Sequence, residues 1–128
     1  MRKLVQSRLS ARRALIDEAH EYVTALGRKL EIVAAVIAGS VARGDYHDGS
    51  DIDVVIVSDQ LPSHPLKRAE LLWSVDLTRV EPKGFTRAEF VERLRRGDPL
   101  ICETVEQGYV LQDPEGFIAK LRVPHPSK

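Results

Sequence analysis

Apolar residues at Leu9, Leu15, Ile16, Ala19, Tyr22, Val23, Leu26 and Leu30 recur every three or four positions, a spacing that predicts a helix over residues 7–30 with one buried stripe. Arg12, Arg13, Glu18, Glu21 and Arg28 fall on its outer face. The pattern then changes. Ile32 to Ala38 is a short, uninterrupted apolar run rich in β-branched residues, as expected of a strand covered on both faces. It stops at Gly39-Ser40, and a turn-rich loop from Gly44 to Ser50 leads into a second run of the same kind, from Asp51 to Val57.

Farther along, Pro65 followed by Leu66, Ala69, Leu72 and Trp73 predicts a short helix. Alternation from Val75 to Val80 predicts a third strand, with Asp76 and Thr78 on one face and Val75 and Leu77 on the other. Thr86-Arg87-Ala88-Glu89 has the form of a capping box, in which hydroxyl and carboxylate satisfy free backbone donors at a helix start; that helix is expected to end at Gly97. Asp98-Pro99 opens another helix to about Gln107, stopped by Gly108, and Asp113-Pro114 opens a last one through Leu121. This order predicts an α/β (α+β) fold, a small mixed sheet backed by helices, with residues 1–123 as one domain and 124–128 as a flexible tail.

Composition narrows the function classes. A chain of 128 residues with 43% hydrophobic residues can build one real core. Nineteen basic residues balance 19 acidic ones, so no global field exists to hold a nucleic-acid backbone or an anionic membrane. The longest apolar run is too short to span a bilayer. One cysteine, Cys102, allows no internal disulfide, which makes a reducing cytoplasm the expected location. Cys102, Trp73 and Phe90 lie among apolar neighbours at helical spacing and are expected in the core. The four histidines, His20, His47, His64 and His125, are scattered without metal-ligand spacing, and Arg93, Arg95 and Arg96 are expected on a solvated helix face.

Candidate chemistry gathers around the first two strands. Residues two apart on a strand point the same way, so Asp51 and Asp53 should sit side by side where the polar loop enters. Two adjacent carboxylates repel, and hard oxygen donors at such spacing suit Mg2+. Asp76 on a neighbouring strand could add a third. Three carboxylates around two metal ions about 3.5–4 Å apart is an arrangement that stabilises both the attacking and the leaving oxygens of an in-line phosphoryl displacement. Gly39-Ser40, a strand end turning into a helical turn over Ser40 to Gly44, offers backbone N–H groups to an anion. Arg43 and Lys83 could add positive charge near the phosphates. Asp-x-Asp beside Gly-Ser is also common in ordinary turns. Context separates the two cases, since the Gly-Ser directly follows one apolar run and the aspartates head the next.

Gly39-Ser40, ten intervening residues and Asp51-Ile52-Asp53 match the Gly-Ser-x10-Asp-x-Asp signature at every motif position, so the chain resembles the DNA polymerase beta-like nucleotidyltransferase superfamily. The stretch GSVARGDYHDGSDIDVVIV further resembles the minimal nucleotidyltransferases, small proteins paired as antitoxins with HEPN-domain toxins. The resemblance covers residues 33–112. It implies the polymerase beta-like fold, two Mg2+ ions on Asp51 and Asp53, and nucleotide phosphates held by Gly39 and Ser40, with Arg43 and Ser50 also counted as nucleotide-binding. It implies Asp76 as third metal ligand and general base, with Asp59 and Glu81 as competitors. The function implied is transfer of AMP from ATP to a hydroxyl, a tyrosine of a HEPN toxin, with no direct nucleic-acid binding; pairing into a homo-oligomer is left open. Two alternatives stand beside it: an antitoxin acting by binding with little or no catalysis, and an enzyme modifying a small molecule such as an antibiotic. The latter usually carries an added helical domain.

Overall fold

The computed structural model describes residues 2–46, 51–76 and 79–122. The chain runs α1 (Arg2–Leu26), β1 (Ala34–Ala38), α2 (Gly39–Arg43), β2 (Ile52–Val57), α3 (Pro65–Leu72), β3 (Val80–Phe85), α4 (Arg87–Arg95), α5 (Pro99–Gln107), β4 (Tyr109–Gln112) and α6 (Phe117–Arg122). The described residues form a four-stranded mixed sheet in the order β3-β2-β1-β4. β1 is antiparallel to both β2 and β4, while β2 and β3 are parallel and joined by the α3 crossover.

Period-two alternation divides the strands between two cores. Ala35, Ile37, Ile52, Val54, Ile56 and Val80 pack on one face against Leu15, Ala19, Tyr22, Val23 and Leu26 of α1 and Leu72 of α3. Val36, Ala38, Val55 and Val57 pack on the other against Phe90, Ile101, Val105 and Ile118, from α4, α5 and α6. Every residue of β1 is buried, as its uninterrupted apolar sequence requires. The mixed sheet backed by helices is therefore as expected.

Element boundaries differ in four places. The first helix begins at Arg2 and ends at Leu26. The third strand is Val80–Phe85, not Val75–Val80, so Asp76 lies four residues ahead of it, exposed and outside the sheet. Leu77 and Thr78, Ser50 and His47, and the tail from 124 lie outside the described residues. β4 was not expected, and it closes the sheet beside β1. The last helix begins at Phe117, with the Asp113 carboxylate accepting from the Ala119 amide at 3.1 Å.

The capping predictions hold for α4 and α5. Thr86 and Glu89 form both bonds of a capping box at the start of α4, and the Asp98 carboxylate accepts from the amides of Leu100 and Ile101 at the start of α5. Phe90 is fully buried, edge-on to Phe85 and Phe117. Trp73 is not in the core: it follows the last turn of α3 and is 57% exposed. Cys102 is half-buried rather than buried, because it sits at the edge of the α5 stripe. His20 is exposed, His64 caps α3 by accepting from the Leu66 amide, and Arg93, Arg95 and Arg96 lie on an exposed face, paired with Asp98 and Glu92.

Candidate active site

The site forms where β1 ends and β2 begins. These strands are antiparallel, and Ala38, the last residue of β1, pairs with Asp53 of β2. The chain therefore leaves β1 directly beside the Asp53 carboxylate. Gly39 turns away with φ +69°, in the left-handed region, and a methyl group built on it would collide with Asp53 Oδ2. Both constraints require glycine there, and the Gly-Ser of the motif is joined to its second aspartate by direct packing.

Asp51 stands one residue ahead of β2 and is exposed, and the Ile52 amide continues the ladder by donating to the Arg79 carbonyl at 2.7 Å. Strand alternation then places Asp51 and Asp53 on the same face. In the parallel register Asp53 pairs with Glu81 of β3, so these two carboxylates share that face at adjacent positions. Lys83, two residues on, reaches back to donate to Asp53 Oδ1 at 3.2 Å. The site thus opens on the face that carries α4, α5 and α6.

Ala38, the N-cap of α2, has no polar side chain to cap it, and the helix ends at Gly44 in the left-handed region with the Gly44 amide donating to the Ser40 carbonyl. Ser40 is half-buried in the first turn. Arg43 donates from Nε to Asp45 Oδ2 at 3.2 Å and from Nη1 to both Glu103 oxygens at 3.0 and 3.1 Å. The bond to Asp45, with the nearby Glu103 charge, raises the Arg43 pKa further above its ordinary value and keeps the guanidinium charged. Glu103 also accepts from the Gly39 amide at 3.1 Å. From the other side, Arg12 of α1 donates to the Val41 carbonyl at 3.4 Å.

Strand pairing thus sets the Gly39–Arg43 turn beside Asp53 at the end of the sheet that Asp51 leads into, while Asp76 is not on the strand expected to carry it. Glu103 carried no signal in the sequence, because it lies 64 residues from Gly39 on a helix that reads as ordinary amphipathic structure. Among the described residues no three carboxylate, imidazole or thiol side chains converge to cage a metal by themselves. The donor set still fits Mg2+, which is commonly held by one or two carboxylates and completes its shell with substrate phosphate oxygens and water.

Fold and motif together define a nucleotidyl-transferring class of protein. Residues 19–121 match the nucleotidyltransferase domain family, and the chain belongs to that family. Its fold is similar to that of a candidate nucleotidyltransferase from Sulfolobus solfataricus, with 21% identity, a TM-score of 0.65, and 85% of this chain and 89% of that one covered. It is also similar to a toxin–antitoxin structure containing AMP-PNP, with 21% identity, a TM-score of 0.55, and 80% of each chain covered. No curated protein matches the sequence. No described helix is long and apolar enough to cross a membrane.

Proposed function

We propose that the protein transfers AMP from ATP to a hydroxyl group with release of pyrophosphate, that the acceptor is a tyrosine of a HEPN-type toxin, and that the modification makes it an antitoxin in the cytoplasm. The observation that carries this reading is the seating of the Asp53 carboxylate against Gly39. It joins the acidic pair and the phosphate-type turn of the motif into one site. Membership of the nucleotidyltransferase family supports a nucleoside triphosphate as substrate.

In this reading Asp51 and Asp53 hold two Mg2+ ions. Bound there, Mg2+ would supply positive charge to the triphosphate and would acidify the acceptor hydroxyl. The Ser40 hydroxyl and the backbone at the start of α2 bind the phosphates, with Ser50, the residue ahead of Asp51, as a further contact. Arg43 and Lys83 offset the negative charge that grows on the departing pyrophosphate. The hydroxyl proton passes to a third carboxylate, a role that the resemblance implies for Asp76 and for which the pairing of Glu81 with Asp53 supports Glu81.

Incubation with the protein encoded by the neighbouring gene and α-labelled ATP tests the reading. The expected result is label on the neighbour that disappears with Asp53→Asn. Neutralisation that persists in Asp51→Asn/Asp53→Asn without label transfer would replace it with a binding antitoxin, and modification of a free aminoglycoside without any protein partner would replace it with a small-molecule enzyme.

A further inference from the structure

Glu103 makes three charge-assisted contacts that tie α5 to the phosphate side of the site. One oxygen accepts from the Gly39 amide at 3.1 Å, and both oxygens accept from Arg43 Nη1 at 3.0 and 3.1 Å. These contacts span 64 and 60 residues of sequence, so neither arises from local chain geometry. The side chain is 31% exposed, shielded enough for the contacts to matter yet outside the hydrophobic clusters. Gly39 is consequently held from two directions, by Asp53 packed against its Cα and by Glu103 on its amide.

Arg43 has a similar arrangement. Asp45 takes its Nε and Glu103 takes its Nη1, fixing a long side chain that would otherwise sample many rotamers over an exposed turn. Neither carboxylate takes the Arg43 Nη2 donors, which leaves them to a phosphate oxygen, and the entropy of ordering the side chain is lost before the ligand arrives.

We propose that Glu103 is a positioning residue for nucleotide binding: it holds the Arg43 guanidinium and the Gly39 turn in the geometry that receives the triphosphate. The inference rests on the nucleotidyltransferase reading of the site. Glu103 touches neither nucleotide nor metal in this account and acts through Arg43 and Gly39.

Calorimetric titration with Mg2+·ATP, read alongside melting temperature, tests it. Glu103→Ala should weaken ATP binding about tenfold, the size expected for losing a charge-assisted hydrogen bond, and should raise KM much more than it lowers kcat. Glu103→Gln, which keeps an acceptor for the Gly39 amide, should recover part of the loss. Arg43→Ala should weaken binding as well, and Glu103→Ala/Arg43→Ala should lose less than the sum of the two single losses, because part of the Glu103 effect passes through Arg43. Binding unchanged in Glu103→Ala would overturn the proposal. So would tighter binding, which would make Glu103 a competing anion, or fully additive losses in the double variant. Wild-type protein that binds no ATP would instead overturn the nucleotidyltransferase site itself, which separates that failure from this one.

Discussion

At the scale of single residues, Gly39 joins backbone conformation to chemistry. A side chain there meets two costs at once, the left-handed φ of +69° and the Asp53 carboxylate in the space a Cβ would fill. Gly39→Ala should therefore lower stability by about 1–3 kcal/mol. It should lower transfer activity by about a hundredfold or more, since a displacement near 1 Å of a reacting group is enough for that. Thermal denaturation and initial-rate measurements on the same preparation check both; full activity would mean that Asp53 is not held where the structure has it. Tyr22 offers a test remote from the site. Its buried hydroxyl donates to the Leu72 carbonyl at 2.6 Å, tying α1 to α3, and burial pushes its pKa above the usual phenol range. Tyr22→Phe leaves a carbonyl without its donor and should cost about 1–3 kcal/mol in denaturant titrations while leaving ATP binding unchanged.

Among elements, β3 decides which carboxylate stands beside Asp53. Its parallel register with β2 puts Glu81 at the paired position and leaves Asp76 ahead of the strand. Glu81→Gln is therefore expected to reduce kcat by about a hundredfold, in the range of a lost general base, and Asp76→Asn by much less; the reverse order in steady-state rates would return the role to Asp76. The misplacement of this strand in the sequence has a physical origin. Val75 to Val80 alternates cleanly, whereas VEPKGF contains a proline and a glycine that suggest a turn. β3 is an edge strand, and an edge tolerates a proline that a central strand would not. β4 escaped notice because four residues between Gly108 and Asp113 are too few to establish a period. β1, β2 and the capped helices were legible because burial on two faces and local cap chemistry leave their mark within a few consecutive residues.

The start of α4 makes a further prediction at this scale. Glu89 accepts from Arg68 at 2.7 and 3.3 Å and from the Thr86 amide at 2.9 Å, and the Arg68 bond holds its pKa below the usual carboxylate value. A depressed folded-state pKa contributes stability above the unfolded-state value and loses it as pH falls through the folded-state value. Stability should thus decline on acidification below the ordinary carboxylate range, and Glu89→Gln should be less stable at neutral pH with a shallower acid decline, measured by urea midpoints across pH.

For the whole molecule, two helical layers enclose a sheet whose open end gathers groups distant in sequence. The Gly-Ser turn and the aspartates could be found by reading along the chain, because a motif with fixed spacing joins them. Glu81, Lys83 and Glu103 could not, since strand register and helix packing bring them in. The even balance of charge over the chain also conceals local pairings at this end of the sheet: Asp45 and Glu103 hold Arg43, and Asp53, opposite Glu81, accepts from Lys83. A crystal structure of the protein soaked with Mn2+ and a non-hydrolysable ATP analogue tests the central claim most directly. Anomalous signal beside Asp51 and Asp53, with the phosphates over Gly39-Ser40, is the predicted result; nucleotide bound elsewhere, or metal absent from those two carboxylates, would contradict it.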